Sequence, residues 1–313
     1  SGDLPLNVSR EILQQSSDVA QIRAASVKRV LGLLEDLAEH QKEKYSIFWT
    51  EFGRVLKEGV VEDAANRERI AKLLRFASTH TDTADQTVSL ADYTGRARPG
   101  QDTIYYVSAD GFSAAKHSPH LEVFRKNGVE VLLLTDRIDE WVVAHLTEFE
   151  GKKLQSAADG SLDVRKLGEA ASTVADELKE QDYKDLLTRI QEVLEDRASR
   201  VRLTHRLTDS PACLVADEHG ISRHVERILR ETGQHLPSSK PVLEINPDHP
   251  VVQRLKQESD AALVADWSHI LFDQALLAEG GELEDPATFV KRLNSLTLAL
   301  AGGGASRIWI PGS

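Results

Sequence analysis

The sequence predicts a mixed α/β (α+β) fold: a three-helix layer with a small α/β unit, then a C-terminal α+β domain ending in a helix pair. Three observations carry this. Apolar residues recur at helical spacing from Ser16 to about Phe76. Strand-like and helical runs alternate between about residues 100 and 150. Residues 259–300 hold two amphipathic stretches separated by Gly280-Gly281.

In the first region, "VAQIRAASVKRVLGLLEDLAEHQ" places Val19, Ile22, Val27, Val30, Leu31, Leu34 and Leu37 on one stripe. "EKYSIFWTEFGRVLKEG" reads as a second helix, with Gly59 as its C-terminal glycine. "EDAANRERIAKLLRF" reads as a third, acidic at its start and with Lys72 and Arg75 near its end, as the helix dipole favours. "TIYYVSA" is β-branched and aromatic, hence a strand. "DGFSAAKHSPHLEVFRKNG" is helical, broken at Pro119 and closed by Gly128. "VEVLLL" is a strand apolar on both faces, and "TDRIDEWVVAHLTEF" a helix with Thr135 or Asp136 as its N-cap. Strand, helix, strand, helix implies a right-handed crossover between parallel strands.

Residues 151–172 are polar and poorly periodic, so the boundary between domains is placed there. The division expected is 1–157 (1–98 an opening loop and the helical layer, 99–157 the small α/β unit), a linker over 158–172, and a C-terminal domain over 173–313. That domain reads as a charged helix over about 174–196, strands in "RVRLTHRL", "ACLVA" and "PVLEIN", an amphipathic helix from about 221, and the final pair. Asp285 is the N-cap of the last helix, with Pro286 at its first position.

Composition removes several classes of function. The formal net charge of −12 repels phosphate backbones, so no nucleic-acid partner is expected. One cysteine, Cys213, cannot form an internal disulfide, which fits a reducing compartment. No apolar run approaches the ~20 residues of a membrane span, and no secretory leader is visible. With no methionine anywhere, the chain reads as a piece of a longer protein. The expectation is a soluble, cytoplasmic fragment. No phosphate-cradling "GxxxxGK" loop and no "GxSxG" elbow is present. His117 with His120, and His219 with His224, lack cysteine neighbours or an "HExxH" pattern, so they read as exposed surface and no metal is expected. Cys213 lies in an apolar run and reads as a buried structural thiol.

Three features rise above this background. Asn7, Arg10 and Gln14 cluster around one helix start, with Arg10 and Gln14 a turn apart; a guanidinium there suits a phosphate, although a local surface pairing has the same pattern. Ile221, Val225, Ile228 and Leu229 make a narrow apolar stripe that fits either packing on its own sheet or an exposed binding face. Leu263, Trp267, Ile270 and Leu271 line one terminal helix, and Phe289, Leu293, Leu296 and Leu300 the other. These fit an intramolecular core and a four-helix bundle with a second copy equally well.

The segments "DLPLNVSREILQQ", "FWTEFGRVLKEGVVEDAANRERIAKLLRFAS", "SPHLEVFRKNGVEVLLLTDRIDEW" and "LFDQALLAEGGELEDPATFVKRLN" resemble the heat-shock protein 90 chaperone family, most closely its bacterial branch, from residue 3 to about 296. The resemblance covers the end of the family's middle domain and its C-terminal domain. It implies an ATP-dependent chaperone, acting in protein folding and the stress response, whose parent protein binds ATP and Mg²⁺ in a domain this chain lacks. This chain alone would hold no cofactor and turn over no substrate. By the resemblance, Arg10 matches the arginine that reaches the γ-phosphate, Gln14 the glutamine that assists it and Asn7 the loop asparagine. Trp141 and the Ile221, Val225, Ile228, Leu229 stripe match client-binding positions, and the two terminal helices match the homodimer contact. Client proteins and other chaperones are the implied partners. Three departures stand out: Ile221 and Val225 occupy a helix that often carries methionine, Ala144 stands where a polar residue can occur, and no "MEEVD" tail is present. The alternative is a dimerising assembly module with no client binding of its own.

Overall fold

The computed structural model describes residues 17–167, 173–217 and 240–302. The helical layer comprises α1 (Ser17–His40), α2 (Lys42–Glu62) and α3 (Arg67–Leu73). Leu31 and Leu34 of α1, Tyr45, Trp49 and Val60 of α2, and Ile70, Ala71 and Leu73 of α3 share one core. Each fully buried Leu, Ile or Val among them contributes roughly 1.5–3 kcal/mol relative to exposure.

Two expectations about this layer are corrected. Gly59 does not end α2, which runs three residues further. A Cβ at Gly59 would lie 3.0 Å from Ile70 Cδ1, so the glycine serves the close approach of α3. The third helix stops at Leu73, because Leu74 turns extended and Phe76 pairs with Val88 as an isolated bridge. Arg75 Nη1 then collects the carbonyls of Lys72, Leu73 and Leu74 from outside the helix.

Next comes a five-stranded sheet built from β1 (Ala77–Ser78), β2 (Thr103–Ser108), β3 (Leu132–Leu134), β4 (Glu148–Phe149) and β5 (Lys152–Ser156), in the order β1-β3-β2-β5-β4. β2 is parallel to β3, as the strand–helix–strand pattern required, and also parallel to β5. The polar composition of 152–156 concealed β5, which sits inside the sheet beside β2. Backbone pairing, with only partly buried side chains, makes it a strand. Around the sheet lie α4 (Leu90–Arg96), α5 (Phe112–Lys116), α6 (Glu122–Lys126) and α7 (Asp139–His145). Ser89 and Asp92 form a reciprocal cap at the start of α4. Gly128 closes α6 at φ +60°, a conformation that favours glycine.

The C-terminal part packs α8 (Thr173–Val193) and α10 (Ala261–Ala278) on a second sheet of β6 (Arg200–Leu203), β7 (Ala212–Val215) and β8 (Val242–Ile245), ordered β6-β8-β7. The short α9 (Pro250–Lys256) contributes Val252 and Leu255 to the same core, and α11 (Pro286–Gly302) follows α10. Between them, Gly280 at φ +73° and the Gly281 N–H bonded to the Leu276 carbonyl (2.9 Å) form a glycine C-cap. Asp285 receives the Thr288 N–H at 3.0 Å, as expected of the N-cap.

Candidate functional site

Of the residues proposed to meet clients, Trp141 is the one among the described residues. It lies half-buried in the first turn of α7, with Ala144 and His145 exposed beyond it. What fixes this short helix lies beneath it. Tyr45, Trp49, Gly53 and Lys57 recur every fourth residue on the buried side of α2, so Lys57 enters the core as a cation at a stripe position. Its Nζ lies 2.8 Å from Asp136 Oδ2 and 2.7 Å from Asp139 Oδ1, and none of the lysine side chain is exposed. Asp136 also accepts from Arg54 Nε and Gln86 Nε2, both at 2.9 Å, while Gln86 Oε1 accepts the Trp49 indole N–H at 3.0 Å.

Burial pushes both carboxyls up. At Asp136, Lys57, Gln86 and Arg54 outweigh burial and hold it below the usual carboxylate range; at Asp139, burial wins. Because the Asp136 carboxylate is committed to these donors, it does not cap α7. Neither it nor Thr135 is the N-cap expected from sequence: the helix starts at Asp139, whose carboxylate accepts the Asp136 N–H at 3.0 Å. Lys57 thus ties the platform carrying Trp141 to α2. Removing one partner of such a buried cluster typically costs about 3–5 kcal/mol.

A second polar cluster joins the small α/β unit to the C-terminal sheet. Glu122 of α6 receives the backbone N–H groups of Thr208 (2.6 Å), Asp209 (2.8 Å) and Ser210 (3.1 Å) and the Ser210 hydroxyl (2.6 Å). Burial raises its carboxyl, but these donors outweigh it and the net shift is downward. Arg206, almost wholly buried, donates to the Ala157 and Asp159 carbonyls and to Glu244 Oε2 (3.2 Å). Arg202 reaches Glu244 Oε1 (2.7 Å) and the Gly160 carbonyl (2.6 Å), and the Thr204 hydroxyl donates to Glu244 Oε2 (2.7 Å). Burial pushes Glu244 up, and Arg206, Thr204 and Arg202 together hold it down. Glu279, just past α10, accepts the Leu214 N–H (3.1 Å) and faces His120 Nε2 (3.2 Å). His120, expected at the surface, is therefore buried, because it spans this junction. Cys213 is buried against Glu244; desolvation and that carboxylate raise its thiol well above the ordinary value, which leaves it inert, as expected of a structural thiol.

The terminal pair divides its apolar residues. Ile270 and Leu271 are wholly buried within the chain and Leu296 nearly so, which corrects their expected place at a surface between copies. Leu263, Trp267 and Phe289 are half-buried, and Arg292 Nε meets Asp266 Oδ1 at 3.3 Å between the helices. On the outer arc of α11, Val290 (52%), Leu293 (37%) and Leu298 (72%) are exposed. The side chain of Leu300 lies outside the described residues. So do Asn7, Arg10, Gln14, Ile221, Val225, Ile228 and Leu229. Among the described residues, no group of three or more His, Cys, Asp and Glu side chains is placed to hold a metal, and no helix is long and apolar enough to cross a membrane.

A family model described as Hsp90 protein matches residues 1–305. The chain belongs to the Hsp90 family. Chaperone protein HtpG of Nitrosococcus oceani is 60% identical over 301 residues, covering 96% of this chain and 48% of its own length. The proteins of that name from Nitrosomonas europaea (61% over 302 residues; 95% and 47%) and Paraburkholderia xenovorans (61% over 305; 96% and 48%) are similar to the same degree. This Hsp90-family chain is of the bacterial HtpG type, a chaperone family, and it spans about half the length of the curated relatives it matches.

The sequence reading passed over Lys57 and Asp139 and took Asp136 only as a cap, although a lysine on the Tyr45–Trp49–Gly53 stripe was a visible signal. It also passed over Glu122, Arg206 and Glu244. The partners named above lie between 31 and 88 residues away, so no local pattern marks them.

Proposed function

We propose that this Hsp90-family chain is the client-binding and self-associating half of an ATP-driven chaperone. The observation that carries the reading is family membership along nearly the whole chain, at about 60% identity to proteins named as chaperones. Two features of the fold support it. The Lys57 cluster holds a half-exposed Trp141 on a rigid platform, suited to weak contacts with apolar client segments. The outer arc of α11 leaves Val290, Leu293 and Leu298 uncovered, the kind of surface that a second copy about a two-fold axis would bury.

In the full-length protein, Arg10 would place a permanent positive charge toward the γ-phosphate of an ATP held by the other half, with Gln14 and Asn7 ordering its loop. The chain alone would then bind clients without turnover. The half-exposed and exposed members of the predicted interface, Leu263, Trp267, Phe289 and Leu293, would join Val290 and Leu298 at the contact between copies.

The test is a titration of a fluorescent, destabilised model protein with the chain, alongside Trp141→Ala and an Ile221→Asp/Leu229→Asp variant, with folding followed by circular dichroism. Saturable binding that is lost in still-folded variants is expected. Equal binding by all three, or by none, would leave the chain as an assembly module.

A further inference from the structure

We propose that a cleft between the approach to β2, the C-terminal end of α6 and strand β5 binds a small phosphate ester carrying hydroxyl groups. The cleft encloses about 900 Å³ and is lined by Arg98, Lys126 and Lys153. That volume lies toward the upper end of the ~300–1,000 Å³ usual for small-molecule sites.

What distinguishes the three cations is how their sequence neighbours are used. Arg96, two residues before Arg98, makes a two-pronged pair with Glu130, both bonds at 2.9 Å. Arg125, next to Lys126, donates to the Lys116 carbonyl, and Lys152, next to Lys153, donates to the Gln101 carbonyl. In each case the neighbouring cation is committed to the fold. Among the described residues, Arg98, Lys126 and Lys153 make no ion pair and no side-chain hydrogen bond. All three are exposed, so in the free chain their charge is met by water. A phosphate would satisfy them through charge-assisted hydrogen bonds.

The turn at Gly128 contributes to the shape. A Cβ there would come within 3.1 Å of Arg98 Nη2, so a glycine at φ +60° lets the guanidinium lie against the backbone. The opposite charge is present too: Asp102 and Asp163 also line the cleft, and Asp102 Oδ1 accepts the Thr103 hydroxyl at 2.9 Å. Three cations beside the Asp102 carboxylate suit a ligand whose phosphate meets the cations while a hydroxyl donates to Asp102.

The inference does not depend on client binding or self-association. It is tested by calorimetric titration of the chain with ribose 5-phosphate, with ribose and inorganic phosphate as controls. The same titrations are run on Lys126→Gln/Lys153→Gln and on Arg98→Gln, which are solvent-facing changes checked by circular dichroism. Saturable, salt-sensitive binding of ribose 5-phosphate is expected, weakened at least about tenfold in the double variant. Absence of saturable binding, or binding unchanged in both folded variants, overturns the site. Inorganic phosphate binding as tightly as the ester overturns the assigned ligand class.

Discussion

Helices α10 and α11 follow one another and carry similar apolar stripes, yet the fold treats them differently. α10 lies against β7 and α8, and Val264, Leu271, Phe272, Ala275 and Leu276 all enter the C-terminal core. α11 touches the rest of the chain along one edge, through Phe289, Arg292 and Leu296, and leaves Val290, Leu293 and Leu298 in solvent. Amphipathic spacing therefore identifies a helix with a face to bury and is silent on what buries it. α10 has found most of its cover within the chain, with Leu277 left exposed; α11 has more apolar surface left over.

Four substitutions or measurements break or sharpen this contrast. The largest effect is expected at the centre of α10: Leu271→Ala should cost about 2–5 kcal/mol in chemical denaturation, since it opens a cavity at a wholly buried site. A cost below that of a surface change would mean α10 is not core. Next is Arg197, whose Nη2 meets the buried Asp273 carboxylate of α10 at 2.6 Å and whose guanidinium lies 4.2 Å from the Phe272 ring. Arg197→Met leaves that carboxylate without its cation and should cost about 1–3 kcal/mol, measured the same way.

A smaller, pH-dependent effect belongs to His269. Burial, then Arg292 of α11 and Arg197, lower its pKa below 6.5. The unfolded chain therefore takes up the proton first. The contribution of His269 is present above the unfolded value and lost as pH falls through the folded one. His269→Gln should flatten the fall in melting temperature between neutral and mildly acidic pH; an unchanged slope would remove His269 from that role. Smallest for the fold is Leu293→Ala on α11, within about 0.5 kcal/mol of the parent chain. Its readout is mass in sedimentation: under the proposed self-association, a Val290→Asp/Leu293→Asp variant should have a lower mass than the parent chain. Equal masses would remove α11 from the proposed contact.

The strength of sequence reading lay in local signals. Gly128 ends α6, Gly280 and Gly281 end α10, and Asp285 caps α11, because φ preference and side-chain reach act over a few residues. It erred where a local signal was overridden from a distance. Gly59 looked like a helix end, but the approach of Ile70 explains it. Asp136 looked like a cap, but Lys57, Arg54 and Gln86 claim its carboxylate. The polar stretch Lys152–Ser156 carried no strand pattern, but the backbone edge of β2 makes it a strand. Of the candidate site, the apolar character of the terminal helices was legible, and Lys57 was visible as a cation on an apolar stripe, whereas its pairing with Asp136, 79 residues away, and with Asp139 was not.

By itself, the sequence determined that this Hsp90-family chain alternates strand and helix in its middle, carries two amphipathic helices over residues 259–300 and has a single cysteine. Propensity, periodicity and turn chemistry are written within a few residues. Only the tertiary structure decided that Ile270 and Leu271 face inward while Leu293 faces out, that His120 is buried against Glu279, and that Lys57 sits between two aspartates. Those outcomes depend on which surfaces meet across tens of residues, and burial and charge pairing act through space, not along the chain.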